Sequence, residues 1–288
     1  MFLNTYEPWK FAFSAENNVI VENSFGIVGI PFDSTTSYHS GSRLGPIVVR
    51  EASFGFEKYN SIFNKDLSTI FYDFGDVNVV PGNCEKTCNI VEETVNELFN
   101  LNIKPLIIGG EHSVSIGAIN ALCDKYDKLT VIHLDAHRDL AFEFIGEKYS
   151  HATVMRRAHE KGVNLVQIGI RSSSKEEEEY VKSTYNIQTF RNKDVRKHMD
   201  AIEYYLINID GPIYVSIDMD VLDPAIAPSV SNPTPNGLFV SELETILKNL
   251  ANKNIVGFDV VETASDRLGE ATAIVAAKII YDFLTLIG

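Results

Sequence analysis

Three short clusters hold the groups of a hydrolytic metal centre. They are His112 in Gly109-Gly110-Glu111-His112-Ser113; Asp135, His137 and Asp139 in His133-Leu134-Asp135-Ala136-His137-Arg138-Asp139; and Asp218 with Asp220 in Ser216-Ile217-Asp218-Met219-Asp220. If the clusters converge, their four carboxylates stand roughly 4 Å apart and repel by about 4 kcal/mol per pair at an effective dielectric of 20. Divalent cations relieve that repulsion, and two of them bring the set to neutrality. Carboxylate-rich ligation with two imidazoles suits Mn²⁺ better than structural zinc, which prefers closed Cys/His shells; Mg²⁺, Fe²⁺, Co²⁺ and Ni²⁺ fit the same groups. A lone Asp-x-His-x-Asp is often a solvated loop, and a lone Gly-Gly-Glu-His a turn with a core histidine. The three together, each after an apolar run, point to a centre.

The elements that must position these groups are short β-branched runs. Residues 24–30, 69–74, 104–108, 129–134, 164–170, 186–190, 213–217 and 254–260 read as strands. Helical patterns lie between them: 85–100, with Cys88, Val91, Val95 and Leu98 on one face, then 241–252, 268–286 and a helix over 47–52 opened by Pro46. Strands alternating with helices predict an α/β fold, a mostly parallel sheet covered on both faces, in a single domain over residues 1–288. Function in such sheets gathers at the carboxyl edge of the strands, and each cluster follows a strand. The spacing of two in Asp135, His137, Asp139 and in Asp218, Asp220 turns those side chains to one side. His133 shares the pleat face of Asp135 but reads first as a packed strand histidine, with a supporting role as the alternative. His39, His159 and His198 receive no chemistry. The acidic run 175–179 reads as the solvated start of a helix. The proline-rich 223–236, directly after a metal cluster, reads as an active-site loop.

With 288 residues, 45% hydrophobic, the chain can bury a large core, and its formal charge of −14 opposes binding to nucleic acid or an anionic membrane while attracting a cationic small molecule. The first ten residues lack the features of a secretory signal, and the apolar run 271–286 is broken by Lys278 and Asp282, so a cytoplasmic, soluble protein is expected. Cys84, Cys88 and Cys123 make no disulfide framework and read as reduced thiols. Gly26 and Gly29 do not complete a dinucleotide-binding glycine pattern.

Taken with Gly26-Ile27-Val28-Gly29-Ile30-Pro31-Phe32-Asp33, Gly41-Ser42-Arg43-Leu44-Gly45-Pro46, Ser150-His151-Ala152-Thr153-Val154-Met155-Arg156-Arg157, Val221-Leu222-Asp223-Pro224 and Asp259-Val260-Val261-Glu262, the clusters resemble the ureohydrolase superfamily of arginases and agmatinases. The likeness covers nearly the whole chain. Lys148-Tyr149-Ser150-His151 and Met155-Arg156-Arg157 bring it closest to the agmatinase branch. The resemblance implies a three-layer α/β/α fold with a parallel eight-stranded sheet, two Mn²⁺ ions and assembly into a trimer or hexamer. By position it implies one ion on His112, Asp135, Asp139 and Asp218, and the other on Asp135, His137, Asp218 and Asp220. A hydroxide shared by the ions, its parent water acidified from 15.7 towards about 7, is then the nucleophile for a guanidinium carbon. Asp139 orients it, Glu262 holds the guanidinium and His151 shuttles a proton to the departing amine.

For the substrate, arginases carry an Asp-Ile-Asn-Thr type segment after the metal aspartate; here Asp139 is followed by Leu140, Ala141, Phe142, Glu143 and Phe144. Glu143 and the aromatic rings suit a cationic amine tail. The expected reaction is therefore agmatine and water to putrescine and urea, ahead of hydrolysis of arginine, guanidinobutyrate or another guanidino compound. A noncatalytic scaffold subunit of the same fold is the alternative of another class, opposed by the retention of every ligand. A metallophosphoesterase is opposed by the lack of a basic cluster near the ligands. Two positions depart from the family: Arg138, where relatives have a small hydroxyl residue, and Thr234, where agmatinases commonly have a glutamate. A charge at Arg138 is tolerable beside the metals only if it points away.

Overall fold

A computed structural model describes residues 4–6, 9–16 and 19–288. Its centre is a sheet of strands β1 (Thr5–Tyr6), β2 (Phe25–Ile30), β5 (Phe71–Val77), β6 (Lys104–Gly109), β7 (Thr130–Leu134), β8 (Asn164–Ile170), β9 (Ile187–Arg191), β10 (Ile213–Asp218) and β11 (Ile255–Val261). Their spatial order is β1-β5-β2-β6-β11-β10-β7-β8-β9. All neighbours pair parallel except the short β1, which pairs antiparallel with β5 at the edge. A small hairpin, β3 (Tyr59–Asn60) with β4 (Lys65–Asp66), stands apart. The eight parallel strands are those read from the sequence; β1 and the hairpin, two residues per strand, are too short to leave a pattern.

Both sheet faces are buried, and the pleat divides the strand residues between two cores. Leu106 and Ile108, Ile132 and Leu134, and Ile213, Val215 and Ile217 join one core; Ile107, Val131 and Tyr214 join the other. The first core is closed by α1 (Gly45–Ser53), α6 (Asn192–Lys197), α7 (Met199–Ile207), α8 (Val240–Leu250) and α9 (Ala271–Ile287). The second is closed by α2 (Cys84–Asn100), α3 (Ser115–Lys125) and α4 (Val154–Glu160). Three layers follow. Each fully buried Val, Ile or Leu contributes about 1.5–3 kcal/mol, so the β-branched runs hold the sheet between its helices.

Helices α1, α2, α8 and α9 lie where the sequence places them, with Pro46 in the first turn of α1 and the Asn83 side chain capping α2. Helix α3 is less legible, because it packs so closely on α2 that a Cβ on Gly117 would come within 2.2 Å of the Cys88 carbonyl oxygen. The small residues that permit this approach also blur its apolar periodicity. The three cysteines are free thiols, and no helix among the described residues is long and apolar enough to cross a membrane.

Candidate metal centre

The carboxyl ends of four adjacent strands, β6, β11, β10 and β7, form the floor of the site. His112 follows β6, Glu262 follows β11, Asp218 ends β10 and Asp135 follows β7. The six side chains read as ligands meet there. His112 Nδ1 lies 3.1 Å from Asp135 Oδ2, 3.1 Å from Asp139 Oδ2 and 3.3 Å from Asp218 Oδ2. Alongside, His137 Nδ1 lies 2.9 Å from Asp220 Oδ2 and 3.5 Å from Asp135 Oδ1. Asp135 thus presents one oxygen to each half of the cluster, as a bridging ligand must.

Donor chemistry shows that a cation fits. His112 Nε2 is 2.9 Å from Ser216 Oγ, whose proton goes to Asp259 Oδ1 at 2.8 Å. That chain assigns the imidazole proton to Nε2 and leaves Nδ1, buried and without a hydrogen bond, facing three carboxylate oxygens. Oxygens and a lone pair cannot share so small a space unless something positive stands among them. Burial disfavours a charged His112, yet Asp135, Asp139 and Asp218 raise its pKa well above the ordinary value. For His137, burial is again outweighed, and Asp220 with Asp135 pushes the pKa up to about 12. Burial, with repulsion from Asp135, lifts Asp139 to about 6.

The backbone fixes these positions. Asp135 Oδ1 accepts from the His137 amide at 2.5 Å, Asp220 Oδ1 from Ala136 at 3.0 Å and Asp218 Oδ1 from Asp220 at 2.8 Å. Asp139 and Glu262 hold left-handed backbone, with φ of 52° and 65°, a conformation uncommon outside glycine. Asp139 is tied there by the Arg156 amide on its carbonyl at 3.0 Å, and Glu262 by its own amide on Gly110 at 2.8 Å. Gly110 itself lies against Phe32, where a Cβ would come within 2.0 Å of a carbonyl oxygen.

His133 is more than a packed strand histidine. Its Nε2 lies 2.8 Å from Asp135 Oδ2, and its Nδ1 is 3.1 Å from Gln167 Nε2. Gln167 in turn accepts from Arg138 Nη1 at 2.8 Å, and Arg138 donates to Glu178 at 2.8 Å. Arg138 therefore points away from the metal ligands. The acidic run is also less solvated than its composition suggests. It opens α5 (Lys175–Ser183), but Glu178 pairs with Arg138 and Arg191, and Glu177 is buried. Glu177 accepts from the Leu140 amide at 3.0 Å and the Ser174 amide at 2.7 Å.

Above the ligands opens a pocket of about 390 Å³. Glu262 lies at its base: one oxygen accepts from the His112 amide at 2.7 Å, while Oε2 has no well-formed hydrogen bond. Burial pushes its pKa to about 8 against partial relief from Ser231. His151 stands on the wall, its Nδ1 3.2 Å from Thr35 Oγ1, its Nε2 3.3 Å from Ser37 Oγ and its ring edge-on to Phe144. Burial, then the charge of His137, lowers its pKa to about 4. The proline-rich loop reaches the pocket through Asn232, Pro233 and Thr234, and Thr234 Oγ1 is 3.3 Å from His137 Nε2. Glu143 does not join this group; it is exposed and lies outside the pocket wall, where Phe144 stands instead. Glu177, Tyr38 and the serines 172–174 line the wall without having been foreseen. Ser174 and Glu177 form a capping box, a signal visible in the sequence as Ser-x-x-Glu.

Comparison with known proteins agrees with this geometry. The profile of the Arginase family matches residues 23–285. The chain is 37% identical to an N(1)-aminopropylagmatine ureohydrolase of Thermococcus kodakarensis, over 97% of this chain and 96% of that protein. It is 34% identical to an agmatinase of Pyrococcus horikoshii, over 98% and 97% respectively. The crystal structure of the agmatine ureohydrolase of Thermoplasma volcanium superposes with a TM-score of 0.87 at 32% identity, covering 98% of this chain and 95% of that one.

Proposed function

Because the chain belongs to the arginase family, we propose that it is a manganese-dependent amidinohydrolase that cleaves agmatine with water to putrescine and urea. Its class, a ureohydrolase enzyme, follows from the family and the full-length relatives. The pocket wall carries the choice of substrate. Beside the metal ligands, Glu177 and Glu262 line it, and among the described residues no lysine or arginine does. A guest cationic at both ends, guanidinium and amine, is attracted along its whole length, whereas the carboxylate of arginine would meet like charge with no basic partner.

His112, Asp135, Asp139 and Asp218 would hold one ion, and Asp135, His137, Asp218 and Asp220 the other; the carboxylate-rich set suits Mn²⁺. When bound, such ions would neutralise these carboxylates and supply the acidified water that serves as nucleophile. Glu262 Oε2, free of a well-formed bond, accepts from the planar guanidinium, whose charge draws the carboxyl into its ionised form. His151 is neutral at pH 7. It can take a proton at Nε2 and give it to the amine nitrogen as the C–N bond breaks. Phe144 packs edge-on against the imidazole, with ring centroids 5.1 Å apart, and helps fix the ring's orientation.

The test is urea release, after loading with Mn²⁺, from agmatine, N(1)-aminopropylagmatine, arginine and guanidinobutyrate. Agmatine is expected to give the highest kcat/KM. Arginine turned over well above agmatine would reject the substrate, and two bound ions with no hydrolysis of any guanidine would reject the enzyme.

A further inference from the structure

Beside the pocket wall, outside the ligand set, a buried carboxylate reaches His151 through one hydroxyl. Glu111 is fully buried and accepts four bonds: from the Thr35 amide at 2.7 Å, Thr35 Oγ1 at 2.5 Å, Thr36 Oγ1 at 3.4 Å and the Ser113 hydroxyl. Four donors, one of them a backbone amide, satisfy the acceptor sites of an ionised carboxylate and oppose the burial that raises the Glu111 pKa above its ordinary value. The Thr35 hydroxyl proton is therefore committed to Glu111. What remains on Thr35 Oγ1 is lone-pair density, and His151 faces it twice, through its backbone amide at 3.1 Å and its ring Nδ1 at 3.2 Å.

From this geometry we infer that Thr35, backed by Glu111, is a positioning residue for His151: it holds the imidazole with its proton on Nδ1 and presents Nε2, unprotonated, to the pocket, where the Ser37 hydroxyl 3.3 Å away stands as its donor. A proton arriving at Nε2 then places positive charge one hydroxyl away from the Glu111 carboxylate, which favours the imidazolium that must form in passing. The logic is that of a carboxylate fixing the tautomer of a catalytic histidine, with a hydroxyl inserted between them. Thr35 does not line the pocket. It acts on the substrate only through His151, so its removal is expected to lower kcat and spare KM. The inference rests on the proposed role of His151 in hydrolysis, but the tautomer can be read without turnover.

The experiment compares Thr35→Val, which keeps shape and the backbone bond to Glu111, with Thr35→Ser, which restores the hydroxyl. Imidazole ¹⁵N shifts of His151 are recorded in the metal-free protein, its signals assigned by their loss in His151→Asn, and kcat and KM for agmatine are measured after Mn²⁺ loading. Thr35→Val is expected to lose the Nδ1–H tautomer preference and about 10- to 100-fold in kcat. KM is expected to stay within about twofold, and Thr35→Ser to recover to within about threefold of the parent. An unchanged tautomer in Thr35→Val, a loss carried by KM alone, or a Thr35→Ser variant as impaired as Thr35→Val would overturn the inference. Should the parent protein hydrolyse no guanidine, the proposed function fails, and the ¹⁵N shifts decide the Thr35 contact by themselves.

Discussion

Two clusters of buried charge in the molecule are built on opposite terms. Beneath β5, Arg50 lies fully enclosed with Asp73 at 2.8 Å and Asp76 at 2.5 Å, and a further bond to the Gly75 carbonyl at 3.1 Å. Burial works against the guanidinium, yet the two carboxylates raise its pKa above the ordinary value. That cluster carries its own cation. At the carboxyl edge of the sheet, Asp135, Asp139, Asp218 and Asp220 stand with two imidazoles, and no lysine or arginine among the described residues forms an ion pair with them. The nearby Arg138 is turned to Glu178, and Arg171 is spent on the carbonyls of Asp220, Val221, Leu222 and Thr234. Arg50 compensates one cluster of carboxylates from within; the other, with no lysine or arginine paired to it, is left for a cation from outside.

Removing Asp135, the proposed bridge between the ions, tests this contrast most severely. Asp135→Ala is expected to release both ions and lower urea formation by about 10³-fold or more, the scale of losing a central electrostatic group. Metal content per chain, measured beside activity, checks it, and a variant that keeps two ions would show that Asp135 does not bridge. The matching change at the other cluster, Arg50→Met, leaves two buried carboxylates without their cation and is expected to cost about 3–5 kcal/mol of stability in denaturant unfolding. Its metal content should be unchanged at a temperature where it remains folded. Loss of metal there at full folding would dissolve the distinction between the two clusters.

Protons sharpen the comparison, because the imidazoles beside Asp135 and Asp220 hold them, whereas the Arg50 cluster needs none. With the His137 pKa pushed up to about 12, a bound ion must displace at least that proton at neutral pH. The apparent affinity for Mn²⁺ should then fall about tenfold for each pH unit from 8 to 6 per proton displaced. Chelator competition measures it, and an affinity flat with pH contradicts the arrangement. Glu262→Gln is a smaller perturbation: metals retained, guanidinium binding weakened by about 1.5–3 kcal/mol, as for a lost bond to a charged group. Its carboxyl, raised to about 8, binds a proton in the folded metal-free chain that the unfolded chain has already released above about pH 4.5. Metal-free parent protein should therefore lose stability relative to Glu262→Gln as pH rises from 5 to 8. Parallel pH profiles of the two proteins would place Glu262 in a solvated site.

Much of this was legible in the chain because ligand geometry is inherited from strands. Asp135 and Asp218 follow apolar β-runs, and parallel pairing brings β7 and β10 together, with Leu134 beside Ile217. Past the strand ends the expected extended pleat is not found, because Asp220 sits in a 3-10 turn and Asp139 in left-handed backbone, and the pairs two apart are held instead by Asp135 accepting from the His137 amide and Asp218 from the Asp220 amide. His133 shows where the same rule was under-used: the alternation that aims Asp135 into the site aims His133 at Asp135, as the 2.8 Å contact confirms. Arg138 shows the rule working by exclusion, its side chain going to the far side. Thr35 and Glu111 carry no local signature, since their meeting depends on a loop after β2 folding over the end of β6.

Glu143 marks where the rule stops. Between Asp139 and His151 the chain is not extended: Phe144 and Glu147 exchange backbone bonds at 2.8 and 2.9 Å around Ile145, whose φ is 52°. That reversal leaves Phe144 on the pocket wall and Glu143 exposed, so spacing from Asp139 predicts neither. Near Phe144 the acidic group on the pocket wall is Glu177, held by the bonds it accepts from the Leu140 and Ser174 amides. Glu143→Gln should accordingly change kcat/KM for agmatine by less than about twofold, the range of an exposed surface substitution, with no change in metal content. Steady-state urea assays at low ionic strength give the strictest reading, because screening is weakest there and any pull of Glu143 on the amine tail is largest. A tenfold rise in KM would place Glu143 on the substrate and show that the 141–149 loop closes over the pocket when agmatine binds.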